Sequence, residues 1–404
     1  MLVFNKIHSF SSFKRENQLN LYDYLNLKQN TCIIVLKYYI ISLLINLVLI
    51  IGGIILLQMA FTGILCGALL GFVMQRGRFC LTGGFRDMYI AKDNRMFYAL
   101  LVAIAVQAVG VFLLIEAGAF EYTAGQFPLW ATIAGAFIFG IGIIFAGGCA
   151  TGTWYRAGEG LIGSWIALAF YMLMAAVMKS GPLAQFTVDA RTPVVGTDSI
   201  ADTFGINVWF LVIPFVALVA FIVYRELRKP RVKIPGLKPK KTGLAHILFE
   251  KRWNPYVTAT LIGLIATLAW PLSAASGRIF GLGITTPSAN ILQFLVTGDL
   301  DIINWGVFLV MGILFGSYFA AKMSGEFRLR TPDTKTVVRS SAGGILMGFG
   351  ASLAGGCSIG NGLVMTSMMT WSGWVALLFM ILGTWTASYF VFVRPSKKRA
   401  TARA

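Results

Sequence analysis

Two stretches decide the reading of this chain: Ala134–Gly152, AGAFIFGIGIIFAGGCATG, and Ala342–Gly360, AGGILMGFGASLAGGCSIG. Shifted by 208 residues, they agree at nine of 19 positions: Ala134, Gly135, Gly140, Gly142, Ala146, Gly147, Gly148, Cys149 and Gly152. After one added residue, Ser164–Leu168 runs parallel to Gly373–Leu377. A shared AGGC core flanked by aligned glycines marks an internal repeat. Each copy is an apolar run that stops at Gly-Gly-Cys, short of the ~20 residues that cross ~30 Å of hydrocarbon. Unwound backbone at membrane depth is tolerated only where protein buries it or a cavity lines it. The glycine stretches 77–84, 146–152 and 354–362 therefore point to a pathway.

The rest of the chain fits that setting. Of 404 residues, 57% are apolar and 12% charged, and the mean hydropathy is +0.75. Soluble domains carry roughly 25% charged residues. A soluble or disordered chain is excluded, and the apolar runs are continuous, unlike the alternating strands of outer-membrane barrels. Runs at 60–74, 96–115, 129–146, 161–178, 206–224, 256–272, 304–321, 341–354 and 374–393 predict an all-α, polytopic helical membrane protein. An earlier run, Ile33–Leu57, is too long for a cleavable signal peptide and no A-x-A site follows it. Residues 1–58 are expected to be an extension with one extra apolar helix, or the product of a start assigned upstream of Met59.

The net charge of +18 sits in the short loops between runs. Membrane topology accounts for that placement with no nucleic acid partner. Loop 225–252 holds ten basic residues, 322–339 five and the tail 394–404 five; with 75–95 these are assigned to the cytoplasm. Connections 116–128, 179–205 and 273–303 are poor in Lys and Arg and are assigned to the periplasm. On this count 129–178 leaves and re-enters the periplasm, whereas 340–393 leaves and re-enters the cytoplasm. Two inverted pseudo-symmetric repeats with broken or re-entrant helices follow, about 59–178 and 253–393. Helix 206–224 connects and inverts them, and the site is expected near the midplane.

Cys149 and Cys357 are equivalent in the repeat, and Cys80 lies in a third glycine-rich stretch, GRFCLTGG. A thiol is a weak donor and a soft, polarisable acceptor, suited to a ligand with a soft sulfur end. Cysteine also packs as a small hydrophobe, the reading preferred for Cys66 and Cys32. The stretch Gly277–Phe280 is the expected counterpart of the Cys80 region and lacks the thiol. Arg156, with Gly147, Gly148, Gly355 and Gly356, could face an anion; a pair between Arg156 and Glu159 is the plainer alternative. The residues after each break, 150–152 and 358–360, are expected to start half-helices whose free N–H groups attract an anion. No CxxC or Cys/His cluster suggests a metal, no cofactor motif occurs, and no Walker A motif makes the chain an ATPase.

MQRGRFCLTGGFRD at 74–87, AGGCATGTWYRAGEG at 146–160, AGGCSIGNGL at 354–363 and KKTGLAHILFEKRW at 240–253 resemble the YeeE/YedE family of bacterial inner-membrane thiosulfate transporters. The likeness runs from about Met59 to the basic tail. It implies uptake of thiosulfate through an hourglass-shaped helical protein. It also implies that Cys80, Cys149 and Cys357 line a narrow path, handing the ion inward through S–H···S contacts. A small cytosolic sulfur carrier of the TusA type is the partner implied. A membrane-bound sulfurtransferase using a cysteine persulfide is the alternative, and only Cys80, near Arg76 and Arg78, has the basic neighbours it would need. An importer of another sulfur or selenium species differs only in substrate. A dianion entering against 100 mV costs about 4.6 kcal/mol. At about 1.4 kcal/mol per decade, passive entry stalls at a roughly two-thousand-fold lower inside concentration. Uptake must be coupled to ions or drawn by cytosolic consumption.

Overall fold

The computed structural model describes residues 53, 56–229, 243–251 and 253–395. The chain divides into two compact units, Met1–Gln58 and Met59–Ala404. The expected extra helix at 33–57 lies, but for a few residues, outside the described region, as do 230–242 of the basic loop and 396–404 of the tail.

The larger unit is built from α1 (59–77), α2 (Leu81–Ile90), α3 (Arg95–Glu116), α4 (Leu129–Ala146), α5 (Ala150–Gly158) and α6 (Ile162–Ser180). Short α7 (Ala184–Arg191) and α8 (Ile200–Phe204) lead to α9 (Trp209–Leu227) and α10 (Gly243–Phe249). Then come α11 (Pro255–Ala274), α12 (Thr285–Thr297), α13 (Trp305–Met323), α14 (Thr334–Ala354) and α15 (Trp371–Ser388). A π-helix, Gly360–Met365, lies between the last two. Among the described residues nine helices are long and apolar enough to cross a membrane, so this is a polytopic helical membrane protein. They coincide with the nine apolar runs after residue 58. One difference is instructive: α14 begins at Thr334, seven residues before its apolar run. Its first turns carry Lys335 and Arg339 into the basic side, which hydropathy alone could not include.

Hydrocarbon supplies no hydrophobic force between helices, so close packing must hold them together. Glycine provides it. Gly63, Gly67 and Gly71 of α1 lie against Trp305–Leu309, Leu309–Gly312 and Ile313 of α13, and Gly312 and Gly316 answer from the other side. The register advances in the same sense on both chains, so the two helices run parallel. In contrast, α4 and α14 are antiparallel: Gly135 meets Gly350 and Ala354, Gly142 meets Met347, and Gly343 meets Phe145 and Ala146. Those contacts are reciprocal, because the 208-residue shift carries Gly135 and Ala146 onto Gly343 and Ala354. Likewise, Gly140 sits on Met380 and Thr384, as Gly348 sits on Tyr171 and Ala175.

Two short helices dock across the halves. The Trp385 indole N–H donates to the Phe85 carbonyl of α2 (3.0 Å), and the Tyr171 hydroxyl of α6 donates to Thr285 at the start of α12 (2.8 Å). On the sparsely charged side, Asp198 accepts from the Ser372 amide (2.7 Å) and hydroxyl (2.5 Å), clipping the loop after α7 to the first turn of α15.

A Cβ on Gly67 would collide with the backbone of Leu309. Overpacking of well-packed interfaces costs about 1–3 kcal/mol or more. Gly67→Val is therefore expected to abolish the monodisperse peak on size-exclusion chromatography in detergent. Gly125→Ala, which meets nothing within 4 Å, should leave it unchanged.

Candidate functional site

Both halves break a membrane helix in the same way. Helix α4 ends at Gly147 (φ 73°, ψ 9°) and α14 at Gly355 (φ 78°, ψ 5°), left-handed positions that glycine takes without penalty. Each break frees carbonyls that need donors. The Arg156 guanidinium donates to the Gly147 carbonyl, and Arg191 donates to the Leu353 carbonyl (2.9 Å). A cation at a helix C-terminus also meets the negative end of its dipole.

The chain then restarts on a cysteine. Cys149 is extended (φ −75°, ψ 176°), and its sulfur accepts from the Gly152 amide at 3.3 Å, filling the N-cap role usually given to Ser, Thr or Asp. Cys80 holds the same place before α2, with φ −138° and ψ 115°. Its sulfur accepts from Arg156 at 3.7 Å and lies near the Cys149 thiol. A methyl group built on Gly152 would stand 3.3 Å from the Cys149 sulfur and 3.8 Å from that of Cys80, so both sulfurs lie over this glycine.

Past Cys149 the cluster continues into the second half. Cys149 lies near Ser358, the residue after Cys357, and Cys357 lies near Thr285. All three cysteines are free and buried. Three α-helices, α2, α5 and α12, start at this cluster, so their N–H-rich ends converge on one place. Cys66 is also buried but sits within α1, away from the breaks.

Cavities flank the thiols. One, of about 290 Å³, is bordered by Thr82, Arg86, Gly147, Arg156, Thr336 and Arg339. The other, of about 170 Å³, is bordered by Lys179, Thr187, Arg191, Thr285, Ser352 and Gly355. The first lies on the side of the basic loops and the second on the sparsely charged side. Gly147 faces one cavity and Gly355 the other.

The basic face anchors α5. Arg78 takes a left-handed conformation (φ 50°) and holds two carboxylates, Glu159 at 3.1 Å and Glu326 at 2.7 Å. Burial pushes the Glu159 carboxyl up, and Arg78 and Arg156 pull it back. The plainer pairing expected from the sequence, Arg156 with Glu159, is therefore replaced by Arg78–Glu159, freeing Arg156 for the break. Gly148 lies under the Arg156 guanidinium, and Gly356 packs on Asn361, whose amide donates to the Ala354 (3.1 Å) and Gly356 (3.2 Å) carbonyls. Only 150–152 starts an α-helix; 358–359 is a turn that leads into the π-helix. Arg278 folds onto the carbonyls of Phe280 and Gly281, both at 3.0 Å. The element that meets Cys357 is instead the start of α12, where Thr285 supplies a hydroxyl in place of a thiol.

The sequence profile described as "Sulphur transport" matches residues 76–386, which contain every residue of the cluster. This chain belongs to the sulphur transport family. It is 64% identical over 347 residues to a thiosulfate transporter, TsuA, of Escherichia coli K12, covering 86% of this chain and 99% of that protein. It is 34% identical over 350 residues to the TsuA of Spirochaeta thermophila, covering 83% and 100%. A probable transporter of E. coli, YedE, is 33% identical over 148 residues, 35% of this chain and 34% of that one.

Mild oxidation of the detergent-purified chain should join Cys80 to Cys149 and leave Cys66 free, read by peptide mass mapping after alkylation. A bond from either cysteine to Cys66, or two thiols that stay alkylatable under conditions that oxidise exposed pairs, would contradict the cluster.

Proposed function

We propose that this protein takes up thiosulfate across the bacterial inner membrane along a path lined by Cys80, Cys149 and Cys357. The observation that carries the reading is the gathering of three buried thiols between two basic cavities that open toward opposite sides. The names of the two full-length relatives supply the substrate. Lys179 and Arg191 draw the dianion into the outer cavity. The thiols then take the terminal sulfur, which is soft and poorly solvated by hard donors, while the converging helix ends and Arg156 offset the charge of the oxygens. Repeated weak S–H donors suit passage, since a conducting site must bind well enough to admit the ion and weakly enough to release it.

The reciprocal contacts of α4 with α14, and of Gly140 and Gly348 with their neighbours, support the inverted-repeat plan with the site where the halves meet. Inward movement against the membrane potential is completed by cytosolic consumption through a sulfur carrier of the TusA type. The activity is transport rather than catalysis. Arg156 beside Cys80 is the one feature a sulfurtransferase would share, and that reading requires sulfite release from thiosulfate by the purified protein, which we expect to be absent.

In a host lacking its own sulfate and thiosulfate importers, the wild type should support growth on thiosulfate as sole sulfur source. Cys149→Ala and Cys357→Ala, expressed at wild-type level, should lower initial uptake by about tenfold or more, the equivalent of ~1.4 kcal/mol. Cys66→Ala should not. Equal uptake by all variants would reduce the cysteines to packing residues, and a wild type that fails to rescue growth would overturn the substrate.

A further inference from the structure

The cytoplasmic cavity differs in chemistry from the thiol cluster beside it. None of its lining residues is a cysteine; it is bordered instead by three arginines, Arg86, Arg156 and Arg339, and by Thr82, Thr336 and Ser340. Arg86 is paired with Asp87 (2.9 Å), and Thr336 donates to Asp333. Arg339 has no partner among the described residues. The Thr82 hydroxyl is buried, 4% exposed, and has no hydrogen-bond partner among them either. Thr82 borders the cavity, and its unpaired hydroxyl, whose burial costs about 1–3 kcal/mol, is free to donate to an oxyanion that enters there. Guanidinium forks and hydroxyl donors match the hard oxygens of a tetrahedral oxyanion.

We propose that this cavity is a second anion site that takes sulfate-like oxyanions through their hard oxygens and is filled from the cytosol, and that its occupation slows uptake. The second half of the statement rests on the transport reading above; the first does not. Three cations around about 290 Å³ give an oxyanion two or more charge-assisted partners without any soft contact. Arg156 links the cavity to the path, because the same guanidinium holds the Gly147 carbonyl and the Cys80 sulfur. An oxyanion in the cavity competes for that guanidinium and so loosens the cap on the break next to the thiols. The chemistry also places the ligand. Transfer of the terminal sulfur of thiosulfate to a thiolate yields a persulfide and sulfite, so any reaction that consumes the imported ion in this way releases a pyramidal dianion whose three hard oxygens suit the same guanidinium and hydroxyl donors. The site then reports a backlog of product to the importer.

Two measurements separate the parts. Equilibrium binding of radiolabelled sulfate to the purified full chain in detergent should weaken about tenfold or more in Arg339→Gln and in Thr82→Val, with partial recovery in Arg339→Lys. It should persist in Cys357→Ala. No sulfate binding to the wild type, or binding unchanged by Arg339→Gln and Thr82→Val, overturns the site. In proteoliposomes, sulfate enclosed with the wild type should slow thiosulfate entry by about twofold or more, and Arg339→Gln should shift that inhibition to about tenfold higher sulfate. Wild-type uptake indifferent to enclosed sulfate overturns the feedback while leaving transport intact. Failure of the wild type to take up thiosulfate at all overturns the transport reading and with it the feedback, while the binding result decides the site.

Discussion

Breaking a helix inside a membrane leaves main-chain carbonyls and amides with no water to satisfy them, each at a cost of several kcal/mol. This constraint shapes the whole site. Left-handed Gly147 and Gly355 end two membrane helices, Arg156 and Arg191 supply donors to the exposed carbonyls, and Cys149 caps the restarting helix with its sulfur. Each functional group is thus also a structural one. The thiol of Cys149 is oriented by the amide it accepts from, and Arg156 is fixed by the carbonyl it caps. The glycine contacts that bring α4 against α14, and α1 against α13, accompany breaks that set the Cys80 and Cys149 sulfurs over Gly152 with Ser358, the neighbour of Cys357, close by.

Much of this was legible in the sequence because membrane solvation writes itself into composition. The nine apolar runs after residue 58 coincide with the nine described helices that are long and apolar enough to cross a membrane, and the paired GGC motifs marked both breaks. What was hidden came from side chains that meet across large separations in sequence. Thr285 reaches Cys357 and Tyr171 only because α12 docks on α6, and nothing in TTPSAN announces a hydroxyl for that purpose. The partner of Glu159 was misjudged for the same reason: Arg78, 81 residues away, lies closer in space than Arg156 (a helical neighbour in sequence) does in hydrogen-bonding terms. Arg191, in a short helix outside the apolar runs, gave no local sign that it caps the second break. One signal was available for it: a lone arginine in a loop otherwise nearly free of basic residues, where the charge rule expects none.

The proposed path divides recognition of one ion between two kinds of chemistry. Basic cavities on either side attract charge without regard to softness, so they cannot by themselves separate thiosulfate from sulfate. The thiols between them add a contact that only an anion with a terminal sulfur can use well. Selectivity on this account is the difference between two binding energies at the narrowest point, and it does not require tight binding anywhere. On that proposal, weak thiol contacts in series keep any one station from holding the ion.

The most direct measurement is the location of the substrate's terminal sulfur. Crystals of the protein soaked with selenosulfate, whose selenium replaces that sulfur, would show it by anomalous scattering. The account predicts a selenium peak in contact with the Cys80 and Cys149 sulfurs over Gly152. A peak confined to the cavity of Lys179 and Arg191, or oxygen density at the thiols with selenium pointing away, would contradict it.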